Sequence, residues 1–114
     1  MELKEYQGKA KQTAIYPKHA EVLYPLLGLT GEVGELANKL KKLYRDHEAS
    51  EISIHTIPHN MMQELEGEMG DILWYWSILC KDLSLDVNKV AQKNVDKLKS
   101  RMERGKIKGS GDER

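Results

Sequence analysis

An all-α fold, a bundle of the four-helix type assembled into an oligomer, is what the sequence predicts, on three observations. Apolar residues recur three and four apart in four successive stretches, the spacing that lines one face of a helix. Pro17, Pro58 and the Gly-rich end after Arg104 punctuate those stretches. The third observation is an internal repeat: Leu29-Thr-Gly-Glu32-Val-Gly-Glu35-Leu36 returns thirty-six residues later as Leu65-Glu-Gly-Glu68-Met-Gly-Asp71-Ile72.

Residues 2 to 15 place Leu3, Tyr6, Ala10 and Ala14 at helical spacing, and Pro17 closes this short first helix. Gln7 and Thr13 lie on it, and their side chains either read a base by hydrogen bonds or bond to neighbouring main chain. A second helix is expected from about Leu23 to Tyr44, with Pro25 tolerated in its first turn and Leu29, Val33, Leu36, Leu40 and Leu43 as its apolar stripe. At about 100° per residue, Glu32 and Glu35 fall roughly 60° and 120° to one side of Leu29, flanking the core rather than facing away from it. Lys39, four residues beyond Glu35, predicts an ordinary surface ion pair with it.

Residues 45 to 59 show no sustained helical period and read as a long loop. His47, His55 and His59 fall there at spacings that match no zinc motif. A third helix is expected from about Asn60 to Asp82, with Leu65, Met69, Ile72, Trp76, Leu79 and Leu83 inward. From Ile72 to Leu79 it is apolar nearly all round, which implies burial on two sides and a subunit contact at or near Trp74. Ser84 then suggests an N-cap for a fourth helix running to about Arg104, striped by Val87, Val90, Ala91, Leu98 and Met102. Lys93, Asn94, Lys97 and Arg101 form one edge that reaches into this stripe, where polar groups need partners. Residues 1–104 thus make one helical domain, and 105–114 a Gly-rich basic tail, either a disordered end or a mobile flap.

Composition limits the function. At 114 residues the core is modest, and oligomerisation would help to complete it. Lys plus Arg equals Asp plus Glu at 18 each, so no net field exists to hold a nucleic acid polymer or an anionic membrane. The single cysteine, Cys80, sits in an apolar run and reads as core. No apolar run approaches the ~20 residues of a membrane span, and no signal-peptide pattern opens the chain, so the cytoplasm is the expected location.

The repeat carries the chemistry. Residues three apart share a helix face, so Glu32 with Glu35, and Glu68 with Asp71, each present two carboxylates side by side. Gly31, Gly34, Gly67 and Gly70 stand before these acids; each costs about 1 kcal/mol relative to Ala in a helix, so each implies close approach of a neighbouring helix or a ligand. Four carboxylates are hard ligands that suit Mg²⁺, Mn²⁺ or Ca²⁺. The Glu-x-x-His of di-iron bundles and the twelve-residue loop of EF-hands are both missing. Mg²⁺ usually shares its shell with phosphates, which points to metal-assisted attack on a phosphate ester or anhydride.

Three segments, Gly28-Leu-Thr-Gly-Glu-Val-Gly-Glu-Leu36, Glu68-Met-Gly-Asp-Ile-Leu-Trp-Tyr75 and Lys93-Asn-Val-Asp-Lys-Leu-Lys-Ser-Arg101, together resemble the MazG-type all-α nucleoside triphosphate pyrophosphohydrolases. The ending Arg104-Gly-Lys-Ile-Lys-Gly-Ser-Gly-Asp112 is similar to a tail of small stand-alone MazG-like proteins. The resemblance implies a helical bundle in dimers or tetramers that cleaves nucleoside triphosphates, dNTPs among them, to monophosphate and pyrophosphate. It also implies Mg²⁺ on Glu32, Glu35, Glu68 and Asp71 and water attacking the α-phosphate; helped by the resemblance, the edge of Lys93, Asn94, Lys97 and Arg101 reads as a triphosphate contact, the alternative being that Lys97 and Arg101 neutralise the acids of the repeat. Two departures stand out: Gly31 where the motif usually has a further acid, and a longer stretch between the acidic pairs. The alternative expectation is a catalytically idle bundle that binds a nucleotide or a protein partner.

Overall fold

A computed structural model describes residues 1–46 and 51–114, and every regular element among them is helical. Helix α1 spans Leu3–Ala10 and tightens into a 3₁₀ turn, Lys11–Thr13; a second 3₁₀ turn, Lys18–Ala20, follows Pro17. Helix α2 spans Leu23–Asp46, α3 His59–Asp82 and α4 Val87–Glu103. His47 lies outside the described residues. His55 is exposed in the non-helical approach to α3, whereas His59 opens that helix instead of lying in a loop.

α2 and α3 form an antiparallel pair, the main packing unit of the chain. Gly28 meets Tyr75, Glu32 approaches Glu68 and Asp71, and Lys39 reaches Glu64, so positions rise along one helix as they fall along the other. α1 lies across α3 and the start of α4: Gln7 Nε2 donates to the Ser77 carbonyl at 2.9 Å, and Lys4 pairs with Asp86 at 3.6 Å. Among the described residues the buried apolar ones are few: Ala10, Pro25, Leu43, Leu65, Ile78, Cys80 and Val87. Burial also pushes the Cys80 thiol above its ordinary pKa, as befits a core cysteine.

The join between α3 and α4 is built differently from expectation. Ser84, expected to cap α4, instead ends α3 in a left-handed conformation with φ 56°. Its N–H donates to the Lys81 carbonyl at 3.0 Å while the Leu85 N–H donates to Cys80 at 2.8 Å, the pattern of a Schellman cap. Asp86 caps α4, its Oδ1 accepting from the Asn88 and Lys89 N–H groups at 2.9 and 3.1 Å. α4 ends in the same way as α3, with Gly105 at φ 65° and the Lys106 N–H on the Arg101 carbonyl.

Asp82 ties the N-terminal segment to the end of α3. Its buried carboxylate accepts from the Tyr16 hydroxyl at 2.6 Å and from the Val22 N–H at 2.9 Å. Val22 is held at φ 68°, an unusual conformation for a β-branched residue, directly before α2 begins. Burial pushes the Asp82 carboxyl up, but Tyr16, Val22 and Lys81 outweigh it and leave the pKa below the ordinary value. Asp82→Ala is therefore expected to cost about 2 kcal/mol at neutral pH, the scale of a charged hydrogen bond left unmade. A depressed carboxyl contributes stability above the unfolded pKa of about 3.9 and loses it as pH falls through the folded value. Urea unfolding should accordingly show the gap between wild type and Asp82→Ala closing in acid; a gap that persists at low pH would contradict this reading.

Much apolar surface stays uncovered in the single chain. Val33, Met69, Leu83, Leu98 and Met102, all expected inward, are exposed. On α4 the inward edge runs instead through Val87, Val90, Lys97 and Arg101, because the helix meets the rest of the chain on that side. Ile78 and Ser77 are fully buried, but Trp74, Tyr75 and Trp76 remain half-buried, so the apolar run of α3 is not covered on both sides. The radius of gyration, 17.3 Å, exceeds the about 13 Å of a compact domain of this length.

The repeat glycines do not serve helix packing within the chain. A methyl group built on Gly31, Gly34, Gly67 or Gly70 meets nothing within 4 Å. The close approach occurs at Gly28, where such a group would overlap the Tyr75 ring. Gly28→Ala is expected to destabilise by about 1–3 kcal/mol through overpacking. Gly67→Ala should instead stabilise by about 0.5–1 kcal/mol, by reducing unfolded-chain entropy at a compatible site. Thermal melts of the two variants should move in opposite directions; shifts of the same sign would show that the Gly28–Tyr75 contact does not set the helix spacing.

Candidate metal centre

The convergence of the acids follows from the Gly28–Tyr75 contact. Without a side chain at Gly28 the Tyr75 ring lies against α2, one turn before Glu32 and one turn after Asp71. Aromatic packing holds that ring: Tyr75 meets Trp74 edge-on at 5.0 Å and Tyr24 at 6.3 Å, and Tyr24 stacks on Tyr16 at 4.7 Å. The helices are thereby drawn together where the two copies of the repeat face each other.

Glu32, Glu68 and Asp71 each offer a carboxylate oxygen within 4.8 Å of the others. Glu32 and Glu68 are half-buried and Asp71 is exposed. Burial, a hydrogen bond to Glu68 and the charges of Asp71, Glu68 and Glu35 push the Glu32 carboxyl above the usual carboxylate range. The same field reaches two tyrosines. Burial raises the hydroxyl pKa values of Tyr6 and Tyr75, and the charge of Asp71 adds to both. Lys39 offsets part of this at Glu68: its Nζ lies 3.0 Å from Glu64 and 3.6 Å from Glu68, pairing across to α3 and not with Glu35 along its own helix. Glu35 is exposed and stands outside the trio, contributing through its charge on Glu32. An all-oxygen donor set of three carboxylates, only one of them paired with a lysine, fits a hard divalent cation.

A cavity of about 380 Å³ opens beside the acids, lined by Thr13, Glu32, Asp71, Trp74 and Tyr75. Thr13 donates its hydroxyl hydrogen to the Ala10 carbonyl at 2.7 Å and accepts the Trp74 indole N–H at 2.8 Å, so it fixes the indole. Gln7 is turned to the Ser77 main chain and does not line this cavity. Trp74 and Tyr75 join the site without a motif of their own; their sequence signal is their place three and four residues after Asp71, on the same helix face.

The cationic edge of α4 lies elsewhere. Lys93, Asn94 and Lys97 line a separate cavity with Leu85, Val90 and Asp112. Lys97 and Arg101 pair with Asp112 of the tail, at 2.9 and 3.1 Å, and not with the acids of the repeat. Arg101 is buried, which follows from its place on the inward edge of α4.

Fold and site together define an all-helical protein with facing acidic helix pairs beside an aromatic-walled cavity. The chain belongs to the MazG nucleotide pyrophosphohydrolase domain family, whose match covers residues 22–105, that is, α2 to the end of α4. It is also similar to the Gene 37 protein of Mycobacterium phage L5, with 40% identity over 115 residues and 96% of each chain covered. No solved structure matches it significantly.

Proposed function

We propose that this chain hydrolyses nucleoside triphosphates, dNTPs among them, to the monophosphate and pyrophosphate. The observation that carries the reading is the convergence of Glu32, Glu68 and Asp71, one acid of the first repeat and two of the second, beside an open cavity with an aromatic wall. These three residues, with Glu35 as the fourth carboxylate, would hold Mg²⁺, or Mn²⁺ in its place. When bound, such a cation supplies Lewis acidity and neutralises charge at the α-phosphate, where water attacks. The chain's own part is to position. Tyr75 and Gly28 set the separation of the carboxylates, and Thr13 holds Trp74 as a flat wall against which a base can rest. Thr13 then acts on the base through Trp74, while Gln7 steadies α1 from outside the cavity.

Lys93, Asn94, Lys97 and Arg101 are assigned to the triphosphate, where fixed positive charge favours departure of pyrophosphate. Because Lys93, Asn94 and Lys97 line a different cavity from the acids within one chain, this assignment requires the α4 edge of one copy to meet the acids of another. A homodimer or homotetramer is therefore part of the proposal, supported by the extended shape and the uncovered apolar side chains. Among the described residues no helix is long and apolar enough to cross a membrane, and the cytoplasm, where nucleotides are abundant, is the proposed location.

A second reading rests on Lys39, which already gives Glu68 a cation: the bundle would then bind a nucleotide or a partner protein without turnover. One assay separates the two. Incubation with a panel of NTPs and dNTPs plus Mg²⁺ should release pyrophosphate and stop in EDTA. Equal release in EDTA, or none with any nucleotide, would contradict metal-dependent hydrolysis.

A further inference from the structure

The cationic edge of α4 is already engaged by the chain's own tail. Asp112 Oδ1 accepts from Lys97 Nζ at 2.9 Å and from Arg101 Nη2 at 3.1 Å, and the Asp112 carbonyl accepts from the same Nη2 at 2.8 Å. Arg101 is only 5% exposed, yet its buried Nε has no hydrogen-bond partner. A guanidinium offers five N–H donors in a fixed fork, and leaving one unmade in the interior is costly. Here a single carboxylate and one carbonyl satisfy one corner of that fork. An oxyanion with three acceptor oxygens would satisfy more of it. The adjoining cavity, about 430 Å³, gives such an anion room beside Lys93, Asn94 and Lys97.

The tail has the build of a detachable loop. Gly105, Gly109 and Gly111 carry its left-handed turns at φ 65°, 128° and 82°. Arg114 closes it on itself, donating to the carbonyls of Lys106, Ile107 and Gly111 at 3.2, 3.2 and 2.6 Å. Beyond the cap of α4, the loop meets that helix through Asp112 and through the Arg104 bond to the Arg114 carbonyl at 2.8 Å. The Asp112 side chain is 80% exposed and that of Lys97 38%, so this ion pair is open to water and weak enough to exchange, while Arg101 holds its side of the contact from the interior.

We propose that Asp112 is a built-in occupant of an oxyanion site on α4, so that the tail competes with phosphate-type anions and must leave Lys97 and Arg101 before one can bind. The inference rests on the assignment of these cations to phosphate, and is independent of whether the acidic cluster hydrolyses anything. Lys97 first, then Arg101, hold the Asp112 carboxyl below its ordinary pKa, so at neutral pH the competitor is fully charged.

Calorimetric titration of metal-free protein with inorganic pyrophosphate tests the proposal. Asp112→Asn and Glu113→Gln each remove one negative charge from the tail, but only Asp112 touches the cations. Asp112→Asn should bind pyrophosphate about 10-fold or more tightly than wild type, and Glu113→Gln should stay within about 2-fold, the size of a general charge effect. Equal affinities for the two variants, or weaker binding by Asp112→Asn, would overturn the competition. Lys97→Ala supplies the control: loss of binding there with no gain in Asp112→Asn refutes the latch alone. Unchanged binding in Lys97→Ala would refute the phosphate assignment and the latch with it.

Discussion

Glu68→Gln and Asp71→Asn should each lower kcat/KM roughly 10³-fold, on the scale of losing one essential electrostatic contact. Stability should respond in the opposite sense. Burial first, then a hydrogen bond to Glu68, holds the Glu32 carboxyl above its ordinary pKa, and repulsion among three carboxylate oxygens within 4.8 Å adds to it. Neutralising one partner removes the repulsion, so without metal the melting temperature should hold or rise. Adding Mg²⁺ should raise the wild-type melting temperature and leave both variants nearly unmoved, because a ligand stabilises only the protein that binds it. Were either variant to keep full activity, or to lose activity only because it no longer folds, the trio would be structural. Parallel measurements of kcat/KM and thermal unfolding distinguish these outcomes.

Lys97→Ala should lower kcat/KM by about 10²-fold with little change in melting temperature, since its ion pair with Asp112 is open to solvent. Arg101 is the poorer probe, because a buried guanidinium has a packing role that truncation would also remove. The stronger consequence concerns mixtures. When Lys97→Ala and Asp71→Asn chains are denatured together and refolded, some dimers pair an intact α4 edge with an intact acid cluster from different copies. With random pairing, about a quarter of the wild-type rate should return from two nearly inactive parents. No recovery, with heterodimers shown to form, would mean that the two groups do not meet across a subunit contact.

The four helices were legible because each rests on a local signal: three- and four-residue apolar spacing, a Pro at a boundary, Gly105 past the last turn. What was misread depends on contacts far apart in sequence. Ser84 and Asp86 are both good capping residues, and only the left-handed turn at Ser84 decides which of them caps α4. The acids were legible through their repetition, but not their distribution. Glu32, Glu68 and Asp71 converge one turn beyond the contact of the Tyr75 ring with Gly28 on α2, while Glu35 stays outside. The glycines of the repeat drew attention to themselves, although the glycine that sets the helix spacing lies just before the repeat. Asp112, in a tail without periodicity, gave no sign that it would meet Lys97 and Arg101.

Hydrolysis of a nucleoside triphosphate in ¹⁸O-labelled water, with Mg²⁺ present and products resolved by mass spectrometry, tests the central claim most directly. Attack at the α-phosphate requires one ¹⁸O atom in the nucleoside monophosphate and none in the pyrophosphate. Label in pyrophosphate, orthophosphate as the first product, or no cleavage of any nucleotide would contradict it.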